Sequence, residues 1–224
     1  MIRTFILFLL FIILPINPMT IEDHLLQMIN RKLIVGFNAV RRKDRLAVSV
    51  QDGEPEDKVI MGIVDKKNGY IRFTDVRGAG ESEYEFALFS GKTQIIAESI
   101  HTDGTECRSH ELNFYEYNSQ NRTYRLMEKE ILSVKDFFKE RESAQFQEID
   151  ESVGSGCVLS ARLPRYGKTI EIKLHFLTDC TGVSQPEIRR IKKYIKKNSN
   201  KVYKTVRMDW YPKSGKFNIR KQEN

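Results

Sequence analysis

Cysteine is scarce in this chain and odd in number: Cys107, Cys157 and Cys180 among 224 residues. That excludes a disulfide-dense scaffold, in which crosslinks stand in for a core. Histidine is equally thin. His24, His101, His110 and His175 fall at no ligand spacing, and three cysteines without a suitably placed histidine make a poor zinc site. No glycine-rich loop leads into Gly-Lys-Ser or Gly-Lys-Thr, and Gly78-Ala-Gly80 is too short to cradle a phosphate. Gly154-Ser-Gly156 is half of a nucleophile elbow without the strand-to-helix setting. No metal and no cofactor is expected.

Long apolar runs are also missing, with one exception. Residues 5–14 are ten apolar residues without a break, preceded by Arg3 and followed by Pro15-Ile-Asn-Pro18. A membrane helix needs about 20 apolar residues. A cation, a short apolar stretch and a helix breaker read instead as a secretory signal, assigned to residues 1–19. The small-x-small cleavage pattern is absent, and no Cys follows the run, which argues against a lipid anchor. Export follows from this reading, to the periplasm or surface of a Gram-negative bacterium. In an oxidising compartment, one disulfide plus one free thiol is the natural arithmetic. Cys157 and Cys180 bracket an apparent hairpin and are the candidate pair.

What the chain has is aromatics and cations. Thirteen Phe and nine Tyr beside six Pro suit a strand-rich fold. The net charge of +7 is uneven: residues 186–224 carry 13 Lys or Arg against 3 acids, which leaves 24 against 27 for the remainder. Such asymmetry speaks about partners, not about fold.

The pattern predicts an α+β, β-rich fold. Thr20 with Asp23 forms a capping signal, and Ile21, Leu25, Met28 and Ile29 recur at helical spacing, so a helix runs to about Lys32. Short alternating segments separated by turn residues follow, among them Lys67-Asn-Gly69 and Ser90-Gly-Lys92. Even spacing of this kind describes an antiparallel meander. Leu112 and Phe114 fall on one side of a strand, Tyr115 and Tyr117 on the other. The predicted organisation is a helix-plus-meander domain over 20–140, a polar linker over 141–156, and a hairpin-rich module over 157–224. That module contains a helix opened by Ser184-Gln-Pro-Glu187.

Several of these segments resemble a group of uncharacterised exported proteins of Bacteroidetes-type bacteria. The motifs are Gly69-Tyr-Ile-Arg-Phe73, Glu83-Tyr-Glu-Phe-Ala-Leu-Phe89, Glu111-Leu-Asn-Phe-Tyr-Glu-Tyr117 and Leu132-Ser-Val-Lys-Asp-Phe-Phe138. Leu163-Pro-Arg-Tyr-Gly-Lys-Thr-Ile170 and Trp210 with Phe217 are similar too, so the resemblance spans roughly residues 60–220. The group has no assigned catalytic residues, so the resemblance carries no site over to this chain. The group often carries two close cysteines where this chain has only Cys107, and a second acidic-Gly loop near the start of its meander that is missing here.

Two constellations remain as candidate sites. Arg189, Arg190, Lys192, Lys193, Lys196 and Lys197 lie on the predicted C-terminal helix, opposite Ile188, Ile191, Tyr194 and Ile195. Such a face attracts anions; in an exported protein these are lipid headgroups, glycans or acidic proteins, and nucleic acid is not expected. The competing reading is a solvated face that keeps the protein soluble. The second constellation is His101, Asp103, Cys107 and His110, which share one loop region. A thiol site or a metal site there, as in a secreted hydrolase, is the alternative to a plain polar hairpin tip. Tyr70, Tyr84, Tyr115 and Tyr117 are either a stacking platform for sugars or ordinary packing. The reading as a whole is an exported binding or structural protein with no recognisable catalytic site.

Overall fold

The computed structural model describes residues 19–43, 45–53, 58–77, 80–103, 108–127, 137, 157–176, 184–198, 203 and 205–221. Helix α1 (Ile21–Asn30) starts where the sequence dictates. The Thr20 hydroxyl oxygen accepts from the Asp23 N–H at 3.3 Å, and the Asp23 carboxylate accepts the Thr20 N–H at 2.8 Å. Ile21, Leu25, Met28 and Ile29 are buried, as their spacing requires. The chain leaves the helix through Lys32 in the left-handed region, at φ 58°.

Strands β1 (Phe37–Arg42) and β2 (Arg45–Val50) then form a hairpin. Only β2 is readable from alternation. The Arg41-Arg42 end of β1 has no apolar alternation of its own, and it is held as strand by pairing with Arg45 and Leu46.

Six strands follow in chain order, each antiparallel to the next: β3 (Lys58–Asp65), β4 (Tyr70–Arg77), β5 (Gly80–Ser90), β6 (Gln94–Asp103), β7 (Arg108–Asn118) and β8 (Thr123–Leu126). This is the predicted meander. Its β6–β7 ladder runs to Asp103 opposite Arg108, further than the polar residues there suggest. At the β3–β4 turn the Asp65 carboxylate accepts the Asn68 N–H at 3.1 Å, and Gly69 takes φ +66°. Asn68 does not share the positive φ expected of an Asn-Gly pair. The loop has four residues, not two, so only its last position must be left-handed.

The remaining elements are β9 (Cys157–Arg162), β10 (Thr169–Phe176), α2 (Gln185–Asn198), β11 (Thr205–Tyr211) and β12 (Lys216–Lys221). The strands form an antiparallel sheet in the order β12-β11-β10-β9. The linker predicted over 141–156 lies outside the described residues.

Alternation along the central strands explains how the layers assemble. Ile71, Phe73, Phe86, Ile96, Tyr115 and Tyr117 pack with α1 and the β1–β2 hairpin. Their neighbours Tyr70, Ala87, Phe89, Ile95, Ala97 and Phe114 pack with Ile170, Ile172, Val206, Met208 and Trp210 of the four-stranded sheet. Side chains on a strand point to opposite faces in turn, so the six-stranded sheet is apolar on both sides and covered on both. The four-stranded sheet thus shares a core with the meander. At one end the two sheets also meet through turns. The Lys92 N–H donates to the Pro212 carbonyl at 2.8 Å, and the Trp210 indole donates to the Ser90 carbonyl at 3.0 Å. Gly91 is required there, because a Cβ would overlap the Pro212 backbone.

Candidate functional site

The antiparallel register of β6 and β7 places His101 directly opposite His110. Their Nδ1 atoms are 2.6 Å apart. His101 Nε2 lies 2.9 Å from the Ala161 carbonyl, and the Ser99 hydroxyl donates to the same carbonyl at 2.6 Å. A carbonyl only accepts, so His101 carries its proton on Nε2 and leaves a lone pair on Nδ1. His110 therefore donates across the strand pair through its own Nδ1–H. These tautomers follow from the bonding network.

Ser99, His101 and His110 have the outline of a nucleophile, a base and an orienting group: Ser99 Oγ is 3.1 Å from His101 Nε2. The bonding runs the wrong way for catalysis. A general base needs a lone pair facing the nucleophile, and here that nitrogen is protonated. The Ser99 proton goes to Ala161, and Ser99 has no exposed surface at all for a substrate to reach.

What the cluster does instead is cap an edge strand. Among the described residues β9 is the last strand of its sheet, and an edge strand leaves every second N–H and C=O without a ladder partner. The Ala161 carbonyl is taken by Ser99 and His101. Next along, the buried Glu85 carboxylate accepts the Leu163 N–H at 2.9 Å and the Tyr70 hydroxyl at 2.8 Å. Side chains of β5 and β6 thus replace a missing strand. Burial, with the Glu85 hydrogen bond second, raises the Tyr70 pKa well above its ordinary value, so the hydroxyl stays protonated and donating.

Of the four residues grouped by sequence in this region, the structure brings His101 and His110 together. Asp103 sits two positions further along β6, with its side chain outside the described residues, as is all of Cys107. Among the described residues, no group of three or more His, Cys, Asp or Glu is arranged to hold a metal. Cys157 opens β9, whereas Cys180 lies outside the described residues, and so does the candidate disulfide. The four tyrosines are packing residues: Tyr70, Tyr115 and Tyr117 are buried, and Tyr84 stacks on Phe73 with ring centroids 5.0 Å apart.

On α2, Arg189, Lys192, Lys193, Lys196 and Lys197 are exposed. The side chains of Arg190, Ile188, Ile191, Tyr194 and Ile195 lie outside the described residues. A separate open groove of about 1380 Å³ runs beside α1 and the β5–β6 and β7–β8 turns. Its charged lining is mixed, with Asp23 and Glu116 against Lys92, Arg122 and Arg125, so it favours no charge of ligand. Among the described residues, no helix is long and apolar enough to cross a membrane.

No family model and no curated relative matches the chain. Among solved structures, a domain of an uncharacterized protein from Porphyromonas gingivalis W83 is similar at 11% identity. The match covers 89% of this chain and 94% of that one, with a TM-score of 0.43. At that score the similarity transfers neither fold detail nor role.

Proposed function

We propose that this is an exported, non-enzymatic binding or structural protein of the Gram-negative envelope, in the periplasm or at the cell surface, and that α2 carries an anion-binding face. The observation behind this reading is the exposure of Arg189, Lys192, Lys193, Lys196 and Lys197 on one helix whose sequence holds a single acid, Glu187. Residues three and four apart are neighbours on a helix, so these cations line one flank. Lys196 and Lys197 also lie in the last turn, where the helix dipole favours positive charge. A concentrated flank of one sign attracts counter-ions and anionic surfaces. The partner is an anionic envelope component: lipid headgroup, glycan or acidic protein.

The alternative, a secreted hydrolase centred on residues 101–110, is weakened by the spent hydrogen bonds of Ser99 and His101.

The test is co-sedimentation with vesicles containing anionic phospholipid, comparing the protein with a variant carrying Lys192→Glu, Lys193→Glu, Lys196→Glu and Lys197→Glu. The expected outcome is a loss of at least about tenfold, with binding that falls as salt rises, since each basic residue near an anionic surface contributes about 1 kcal/mol. Binding indifferent to both charge reversal and salt sinks the reading.

A further inference from the structure

We propose that the outer face of the four-stranded sheet is a binding surface for an acidic polysaccharide. Alternation sends Ala161, Ile170, Ile172, Val206, Met208 and Trp210 inward, so the residues between them face away from the core. One row across that face takes a residue from every strand. Arg162 is opposite Glu171, Glu171 opposite Arg207, and Arg207 opposite Arg220. Neighbouring strands lie about 4.8 Å apart, so the row extends roughly 14 Å. Arg162, Arg207 and Arg220 are all exposed. Lys173 and Lys216 are exposed on the same face, which gives five cations against the two carboxylates Glu171 and Asp209.

The face also has an aromatic end. Tyr211 is 50% exposed, and Tyr166, in the β9–β10 loop, is 67% exposed. The Trp210 N–H donates to the Lys168 carbonyl at 2.9 Å, which puts that loop beside Tyr211. Arg165 fixes the loop by stacking over the Tyr166 ring at 5.0 Å and pairing with Asp65 at 2.9 Å.

The chemistry favours a glycan over a lipid layer. Guanidinium groups form forked bonds to carboxylate or sulfate, and a straight row suits a linear polymer. Tyrosine offers an apolar ring with a polar tip, which suits a sugar ring bearing hydroxyls. Within the face Glu171 pairs with Arg207 at 3.3 Å and with Lys173 at 3.7 Å, and Asp209 pairs with Arg220 and accepts the Thr169 hydroxyl at 2.6 Å, which leaves Arg162 and Lys216 without an acid partner among the described residues and an excess of three positive charges. Carboxylates keep further lone pairs that accept the hydroxyls an acidic sugar carries beside its anionic group. The proposal rests on the reading of this protein as a binder of anionic envelope material, but not on α2.

Calorimetry of the full chain with polygalacturonate, neutral dextran and phosphatidylglycerol vesicles tests it. The variants are Arg162→Gln with Arg207→Gln and Arg220→Gln; Tyr166→Ala with Tyr211→Ala; and the fourfold α2 charge reversal. Polygalacturonate affinity should fall at least tenfold in the arginine variant and three- to tenfold in the tyrosine variant. It should stay within twofold in the α2 variant, with no binding of dextran. An arginine variant that melts like the parent and keeps its affinity overturns the proposal. If that variant does not fold, unchanged affinity in the tyrosine variant overturns it. Vesicle binding abolished only by the α2 change, with no form binding polygalacturonate, leaves the α2 reading standing and removes this one.

Discussion

Glu85 and Glu98 sit on opposite faces of the same sheet with nearly the same burial, 2% and 3% exposed, and bond in different directions. Glu85 reaches out of its sheet to the Leu163 N–H on the facing layer, 78 residues away in the chain. Glu98 stays at home: it accepts from the Asn113 amide at 3.0 Å and the Tyr115 hydroxyl at 2.9 Å, both on the adjacent strand β7. Partners on a neighbouring strand move with the sheet, so the Glu98 bonds rigidify it without fixing what lies on top. The Glu85 bonds set where β9 rests. The α1 side is instead joined by apolar packing and, at its rim, by the 2.7 Å pair of Glu22 with Lys66, itself 48% exposed. One face is registered chiefly by a buried carboxylate that reaches the facing layer, the other chiefly by apolar packing, with the Tyr124 hydroxyl bonded to His24 and Gln27 of α1.

The largest expected effect breaks the polar tie. Glu85→Leu leaves the Leu163 N–H and the Tyr70 hydroxyl without an acceptor. Each buried orphan donor costs about 1–3 kcal/mol, so the loss should be about 4 kcal/mol. Urea denaturation measures it. A loss under about 1 kcal/mol would mean that water or backbone shifts replace the carboxylate easily, and that the contrast between the faces is false.

The α1 face answers to acid instead. His24 is fully buried between α1 and the ring edges of Tyr117 and Tyr124. The Tyr124 hydroxyl donates to Gln27 at 3.3 Å and so receives the His24 Nδ1–H at 3.0 Å. That leaves Nε2 buried with no partner among the described residues. Burial pushes the His24 pKa down to about 4, with Asp23 opposing weakly. Unfolded, the imidazole titrates near 6.5. Between these values the unfolded chain takes up a proton that the folded chain refuses. Stability is therefore full above about pH 6.5 and falls as the pH drops towards 4, by about 3 kcal/mol at 1.36 kcal/mol per unit. Asp23 is held below its usual range chiefly by its bonds to Thr20 and Arg41, working against burial, so its own loss comes at lower pH. Denaturation midpoints from pH 7 to 4, with His24→Phe as reference, check this; equal slopes in both proteins would refute it.

These contrasts also show what sequence can carry. The Thr20–Asp23 cap and the meander were legible because their causes are local: a three-residue spacing and a two-residue alternation. The β1 strand was not, since Arg41 and Arg42 acquire strand structure only by pairing with β2. His101 and His110 were visible as neighbours in sequence, but their role was not. It depends on Ala161, 60 residues from His101. The same holds for the row of Arg162, Arg207 and Arg220, which exists only once three strand pairings fix the register. The α2 cations were legible as a run, because a helix maps spacing onto a face without help from the rest of the chain.

The smallest expected effect is the sharpest probe of the comparison. Burial raises the Glu98 pKa; the Asn113 and Tyr115 bonds pull against that rise and Glu111 adds to it. A carboxyl whose folded pKa lies above its unfolded value favours folding when protonated and opposes it when charged. Glu98→Gln keeps the shape, retains an acceptor oxygen and removes the buried charge. At pH 7 the lost charge-assisted bonding and the relieved desolvation offset each other, and stability should change by less than about 1 kcal/mol. As the pH falls through the raised pKa, the parent should gain on the variant, because only the parent takes up the stabilising proton. Urea midpoints of both proteins at pH 7 and 5 read this directly. A cost at pH 7 near that of Glu85→Leu would show that a bond within one sheet matters as much as a bond between two, and the distinction between the faces would fall.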